Sequence, residues 1–68
     1  MTFAENLLKL RTERGLTQVE VAKAIDVRTL TYQRYEYGER EPKVSKLIAL
    51  ADLYHITLDE LVCRDFKK

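Results

Sequence analysis

The sequence predicts an all-α fold of five short helices, and three observations carry that prediction. Threonine followed three residues later by glutamate occurs at Thr2 and Glu5, Thr17 and Glu20, and Thr57 and Glu60. Each pair fits a capping box, in which the two side chains satisfy backbone N–H groups at a helix start. Apolar residues between these starts recur at intervals of three and four. No stretch alternates apolar and polar residues over the length of a strand.

Length and composition narrow the options further. Sixty-eight residues make one domain, with a core over about 3–63 and a frayed polar tail over 64–68. A chain this short buries only roughly 60% of its unfolded surface. Good helix caps or self-association are then the expected sources of stability. Cys63 is the only cysteine and His55 the only histidine, so neither a disulfide nor a metal site is expected. A lone thiol and the lack of an apolar leader fit a reducing, cytoplasmic setting. No apolar run approaches the ~20 residues a bilayer span needs, so no membrane association is expected. Net charge is +1, from 12 basic and 11 acidic residues. Binding to nucleic acid would therefore depend on where charges sit, not on their excess. A catalytic serine–histidine–acid set, a phosphate-binding glycine loop and a metal cluster are all missing from the pattern, so no enzymatic activity and no cofactor are expected.

The first helix is expected over 2–14. Phe3, Leu7 and Leu10 form its buried stripe, Gly15 ends it, and Leu16 turns back into the core. Thr17 opens the second helix, whose inner face is Val21, Ala22 and Ile25, with Val19 off the stripe. Asp26 and Val27 make a tight turn. Asp26 is one of the few non-glycine types that visits positive φ readily, and Val27 plugs the core beneath the turn.

The third helix runs from Arg28 or Thr29 to Tyr37 and is closed by Gly38. At 100° per residue, Thr31, Tyr32 and Tyr35 share an inner arc. Thr29, Leu30, Gln33, Arg34 and Tyr37 fall on an opposite arc rich in groups suited to base edges and phosphates. Residues 39–43 form a polar loop with Pro42 as its rigid point, and Glu39 and Glu41 are expected at its rim. The fourth helix covers about 44–54, with Val44, Leu47, Ile48, Ala51 and Leu53 or Tyr54 inward. A short fifth helix starts at Thr57 and includes Leu61 and Val62. The second and third helices, over residues 17–38, thus read as a helix-turn-helix whose second helix keeps a face free for a DNA major groove.

The ordered spacing of Leu10, Arg11, Gly15, Leu16, Thr17, Gln18, Val21, Ala22, Ile25, Val27, Tyr35, Glu36, Tyr37, Gly38, Pro42, Leu47, Ala51, Leu53, Ile56, Thr57, Glu60 and Leu61 resembles the Cro/C1-type (XRE) helix-turn-helix family. The resemblance spans roughly residues 5–62. It implies a compact lambda repressor-like DNA-binding domain acting as a sequence-specific transcriptional regulator, a dimeric repressor reading a palindromic operator in duplex DNA.

Carried over residue by residue, the resemblance implies base contacts from Arg28, Thr29, Leu30, Gln33 and Arg34. Thr17, Gln18, Tyr37, Arg40 and Lys43 match positions that meet the DNA backbone, and Gln18 matches a glutamine that also buttresses the third helix. Arg11 and Glu36 match a structural ion pair that locks the first helix to the third. A homodimer surface is expected near the fifth helix, at Ile56, Leu58, Leu61 and Val62. No small-molecule ligand domain is expected. Arg28 stands where serine or threonine is common, so Thr29 is expected to cap the third helix, shifting its start by one residue. Leu30 stands where a polar residue is common. With Val19 and the near-neutral charge, it leaves open a protein-interaction module, or an antitoxin bound to a toxin, built on the same fold.

Overall fold

Local chemistry sets the helix starts. In the computed structural model, which describes residues 1–63, five helices follow one another: α1 Phe3–Glu13, α2 Gln18–Ala24, α3 Thr29–Tyr37, α4 Val44–Tyr54 and α5 Leu58–Val62. All three expected capping boxes form. Each threonine Oγ1 accepts the glutamate N–H at 3.1 Å. Each glutamate Oε1 accepts the threonine N–H at 2.8–2.9 Å. The tail over 64–68, expected to fray, lies outside the described residues. No helix among the described residues is long and apolar enough to cross a membrane.

The core gathers Leu7, Leu10, Val21, Ala22, Ile25, Tyr32, Tyr35, Leu50, Ala51, Tyr54 and Leu61, with Phe3, Leu16 and Val27 packed against it. α1 sits at the centre, touching α3 on one side and α5 on the other, while α2 packs on α3 and α4 on α5. Tyr32 and Tyr35 meet edge to face, with ring centroids 6.2 Å apart and planes at 82°, the geometry that ring quadrupoles favour.

The fourth helix is rotated from the expected setting. Leu50 is fully buried, with Ala51 and Tyr54 beside it and Leu47 half-buried, whereas Val44 and Ile48 are exposed. The inward set 47, 50, 51 and 54 is itself a helical stripe. α4 is apolar nearly all round, so its sequence admitted either setting, and packing against the neighbouring helices selected this one.

Helix ends are served from a distance. Asn6, buried in α1, donates through Nδ2 to the carbonyls of Glu60 at 3.0 Å and Leu61 at 2.9 Å. These carbonyls belong to the last turn of α5, where no intrahelical N–H follows to satisfy them. Arg14 likewise donates to Leu10 O and Tyr54 O, both at 3.2 Å, ending α1 and α4 together. Its guanidinium lies 4.8 Å from the centroid of the Tyr54 ring, a cation–π contact. Replacing Asn6 by alanine strands two carbonyls, one of them buried. The expected cost is about 1–3 kcal/mol, read as a lower denaturant midpoint with an unchanged slope.

Candidate nucleic-acid interface

The turn between α2 and α3 is built from both sides. α2 ends at Ile25, and Asp26 takes φ 60°, the left-handed conformation expected for it. Val27 N–H then donates to Ala22 O at 2.9 Å, tying the turn to α2. From α4, Lys46 Nζ donates to Ile25 O at 2.9 Å and Asp26 O at 3.3 Å. This lysine was not anticipated as a cap, because nothing local in the sequence links residue 46 to a turn twenty positions earlier.

With Val27 anchored, Arg28 is left in extended backbone as the N-cap, and Thr29 becomes the first helical residue. The expectation that Thr29 caps is corrected. The carbonyl of Arg28 accepts the first helical bond, from Tyr32 N–H at 3.0 Å, and no side chain caps this end.

The two arcs of α3 separate as expected. Tyr32 and Tyr35 are buried and Thr31 is half-buried. Leu30, Arg34 and Tyr37 are exposed, and Thr29 and Gln33 are half-buried on the same outer side. Gly38 closes the helix at φ 76°, where a Cβ would be strained.

Behind the outer arc lies a saturated carboxylate. Glu36 Oε2 accepts Arg11 Nε at 2.6 Å and the Tyr32 hydroxyl at 2.5 Å. Its Oε1 accepts Arg11 Nη2 at 3.2 Å and Gln18 Nε2 at 3.1 Å. Arg11 also donates to Leu16 O at 2.9 Å, so one guanidinium joins α1, the α1–α2 link and α3. Burial opposes the charge on Glu36, but the hydrogen bonds from Arg11, Tyr32 and Gln18 outweigh it and hold the carboxyl below its usual range. The hydrogen bond to Glu36 raises Arg11 in turn. Burial first, then the bond to Glu36, pushes the Tyr32 hydroxyl far up, so it remains a proton donor. The expected ion pair is present. The bond from Tyr32 was not anticipated, because Tyr32 was assigned to the apolar core, whereas Gln18, expected to buttress the third helix, does so through Glu36 and Gln33.

Helices α3 and α4 differ from the other three. Their N-caps are Arg28 and Lys43, and neither is capped by a side chain. A cation at a helix N-terminus opposes the helix dipole, so these ends are poorly arranged for the free chain and well arranged for an anion. Both residues line one open cleft of about 360 Å³ beside the turn, together with Arg40 and Lys46. Asp26 is the carboxylate in its lining. Glu39 and Glu41 are exposed in the loop that follows α3. Thr17 is exposed, with its hydroxyl oxygen occupied by the Glu20 N–H, and Gln18 is half-buried.

The expected dimer set is only partly available. Leu61 is fully buried within the chain and offers no surface, since Asn6 draws α5 onto α1. Ile56 and Val62 are half-buried against the core, and Leu58 is exposed.

The sequence matches the Helix-turn-helix family over residues 7–61. It is 42% identical over 60 residues to the cryptic phage CTXphi transcriptional repressor RstR of Vibrio cholerae, covering 88% of this chain and 54% of that protein. It is 37% identical over 60 residues to the uncharacterized HTH-type transcriptional regulator YqaE of Bacillus subtilis, covering 88% and 52%. A transcriptional regulator from Listeria innocua superimposes with a TM-score of 0.92 at 40% identity, over 98% of this chain and 63% of that one. The restriction-modification controller protein C.AhdI from Aeromonas hydrophila gives 0.80 at 29% identity, over 87% and 89%. The chain spans about half the length of the curated relatives it matches.

Proposed function

Because this chain belongs to the Cro/C1-type helix-turn-helix family, we propose that it binds duplex DNA through α3 and represses transcription as a homodimer. It does so in the cytoplasm, by binding and not by catalysis. α3 enters the major groove with Arg28, Thr29, Leu30, Gln33 and Arg34 toward base edges. Arg34 suits the O6 and N7 acceptors of guanine, and Leu30 suits a thymine methyl. Thr17, Gln18, Tyr37, Arg40 and Lys43 meet the phosphates and fix the register.

One observation carries this reading: two uncapped helix N-termini, each headed by a cation, open on the same basic cleft. A phosphate there neutralises Lys43 and accepts N–H groups of the helix starts that otherwise lack partners. A single module buries too little surface for high specificity. A two-fold dimer reading half-sites one helical turn apart supplies the rest, with Leu58 the exposed apolar residue of α5 and Ile56 and Val62 beside it.

Salt dependence tests the proposal. With about three phosphates neutralised per half-site, affinity is expected to fall by roughly 10³ between 50 and 200 mM salt. Undetectable binding at low salt contradicts it. That result would favour the second reading, a domain serving a protein partner or toxin, for which exposed Leu30 on the outer arc is the supporting observation.

A further inference from the structure

Lys46 stands in the first turn of α4, where a cation opposes the dipole of its own helix. What favours it there lies outside that helix. The ammonium reaches the end of α2 and donates to Ile25 O at 2.9 Å and Asp26 O at 3.3 Å. Both carbonyls lie at the negative end of α2, beyond its intrahelical bonds. Two of the three ammonium donors therefore point into the protein. These bonds join two parts of the fold that otherwise meet through apolar packing. α2 packs on α3 and α4 on α5, with α1 between the pairs. Arg14 and Asn6 bond from α1 to the α4–α5 pair, and Arg11 bonds from α1 to α3. Among the described residues, Lys46 alone carries hydrogen bonds from the α4–α5 pair to the α2–α3 pair and its turn. Apolar burial is non-directional, whereas a charged donor held by two carbonyls fixes a position.

We propose that Lys46 is a positioning residue that sets the N-terminus of α4 against the α2–α3 turn, so that α3 and Lys43 engage one duplex together. The inference rests on the DNA-binding reading above and deepens it. The proposed surface crosses the boundary that Lys46 ties: α3 lies on one side, Lys43 at the head of α4 on the other, and Lys46 lines the cleft they share. By its place in a basic cleft, Lys46 would count as one more phosphate contact. Its bonds instead commit it to the backbone of the turn. Losing Lys46 therefore removes no phosphate contact of its own. It frees the head of α4 from the turn, and Lys43 keeps its charge while losing its register with α3. Base contacts and backbone contacts are then no longer made by one rigid surface, and the coupling between them falls.

The test is a double-mutant cycle on the full chain, binding the duplex that the unmodified protein enriches from a randomised library. Its corners are the unmodified chain, Lys43→Ala, Lys46→Met and the double variant, each shown by circular dichroism to be folded at the assay temperature. Lys46→Gln, with one shorter neutral donor, takes the place of Lys46→Met if the latter is not folded. Lys43→Ala is expected to weaken binding about tenfold in the unmodified chain, but less than about threefold once Lys46 is replaced. The slope of affinity against salt should then be the same for Lys46→Met and the double variant. Lys46→Arg, which keeps a charged donor, is expected to restore the full cost of Lys43→Ala. Two independent losses that multiply, with a salt slope that falls at each step, show Lys46 to be a phosphate contact and overturn the proposal. Unchanged binding by a folded Lys46→Met also overturns it, and in both cases DNA binding through α3 stands. A library from which even the unmodified chain enriches nothing brings down both this inference and the function on which it rests.

Discussion

Arg11→Ala is expected to cost the domain about 3–5 kcal/mol, the range for removing one partner of a buried ion pair. The Glu36 side chain is 3% exposed and the Arg11 side chain 14%. Without the guanidinium, the carboxylate keeps the Tyr32 hydroxyl and the Gln18 amide but loses its counter-charge in a largely shielded place. The carbonyl of Leu16 loses its donor as well. In a domain of this size, a thermal midpoint lower by about 15 °C or more is expected. Binding to DNA should fall only as the folded fraction falls, and recover on cooling.

Acid reports the same pair. The native carboxyl of Glu36 lies below its ordinary value of 4.5, so folding favours its charged form. That stabilisation is complete above the unfolded value and is lost as pH falls through the depressed native one. The unmodified chain should therefore weaken on acidification below about pH 4.5, and Arg11→Ala should show a shallower loss. A variant that melts within a degree or two of the parent shows that the pair is not what holds α1 to α3.

Arg34→Ala is the counterpart on the outer face. Arg34 is exposed, and its side chain makes no hydrogen bond or ion pair among the described residues. Its removal should leave stability within about 0.5 kcal/mol. On DNA, one lost bidentate arginine–guanine contact costs about 1–3 kcal/mol, and a dimer loses it twice. Affinity should drop by about two orders of magnitude or more at fixed salt while the melting curve is unchanged. If Arg34→Ala unfolds the domain, the two faces of α3 have been assigned the wrong way round.

What was readable in advance follows a physical division. Helix starts are decided within four residues, and Thr2, Thr17 and Thr57 announced three of them. Helix ends are completed by side chains that arrive from elsewhere in the fold. Asn6 on α5, Arg14 on α4 and Lys46 on α2 act over 54, 40 and 21 residues of sequence, and no local pattern marks them. The rotation of α4 was hidden for a different reason. Val44 and Ile48 are as apolar as Leu50, so only the facing helices distinguish them.

The candidate site divides in the same way. The split of α3 into an inner tyrosine face and an outer polar face follows from helical period. The start of α3 does not, because it depends on Val27 bonding back to Ala22. Arg11 and Glu36 were legible through family resemblance, while the two further donors to Glu36 required the fold. Leu61 carries the plainest lesson. A leucine in a short helix reads as surplus surface until a buried asparagine on another helix shows which way it faces.

The outer arc of α3 and the paired N-termini of α3 and α4 are proposed to form one DNA-binding surface. The most direct measurement is chemical-shift mapping of the isotope-labelled chain during titration with duplex DNA at low salt. Shifts are expected to concentrate at residues 28–34, at Tyr37 and Arg40, and over Lys43 and the first turn of α4, with the buried residues of α1 and α5 little changed. Shifts gathered instead on the exposed side of α1 around Leu8, or no shifts under conditions that favour phosphate contacts, would contradict it.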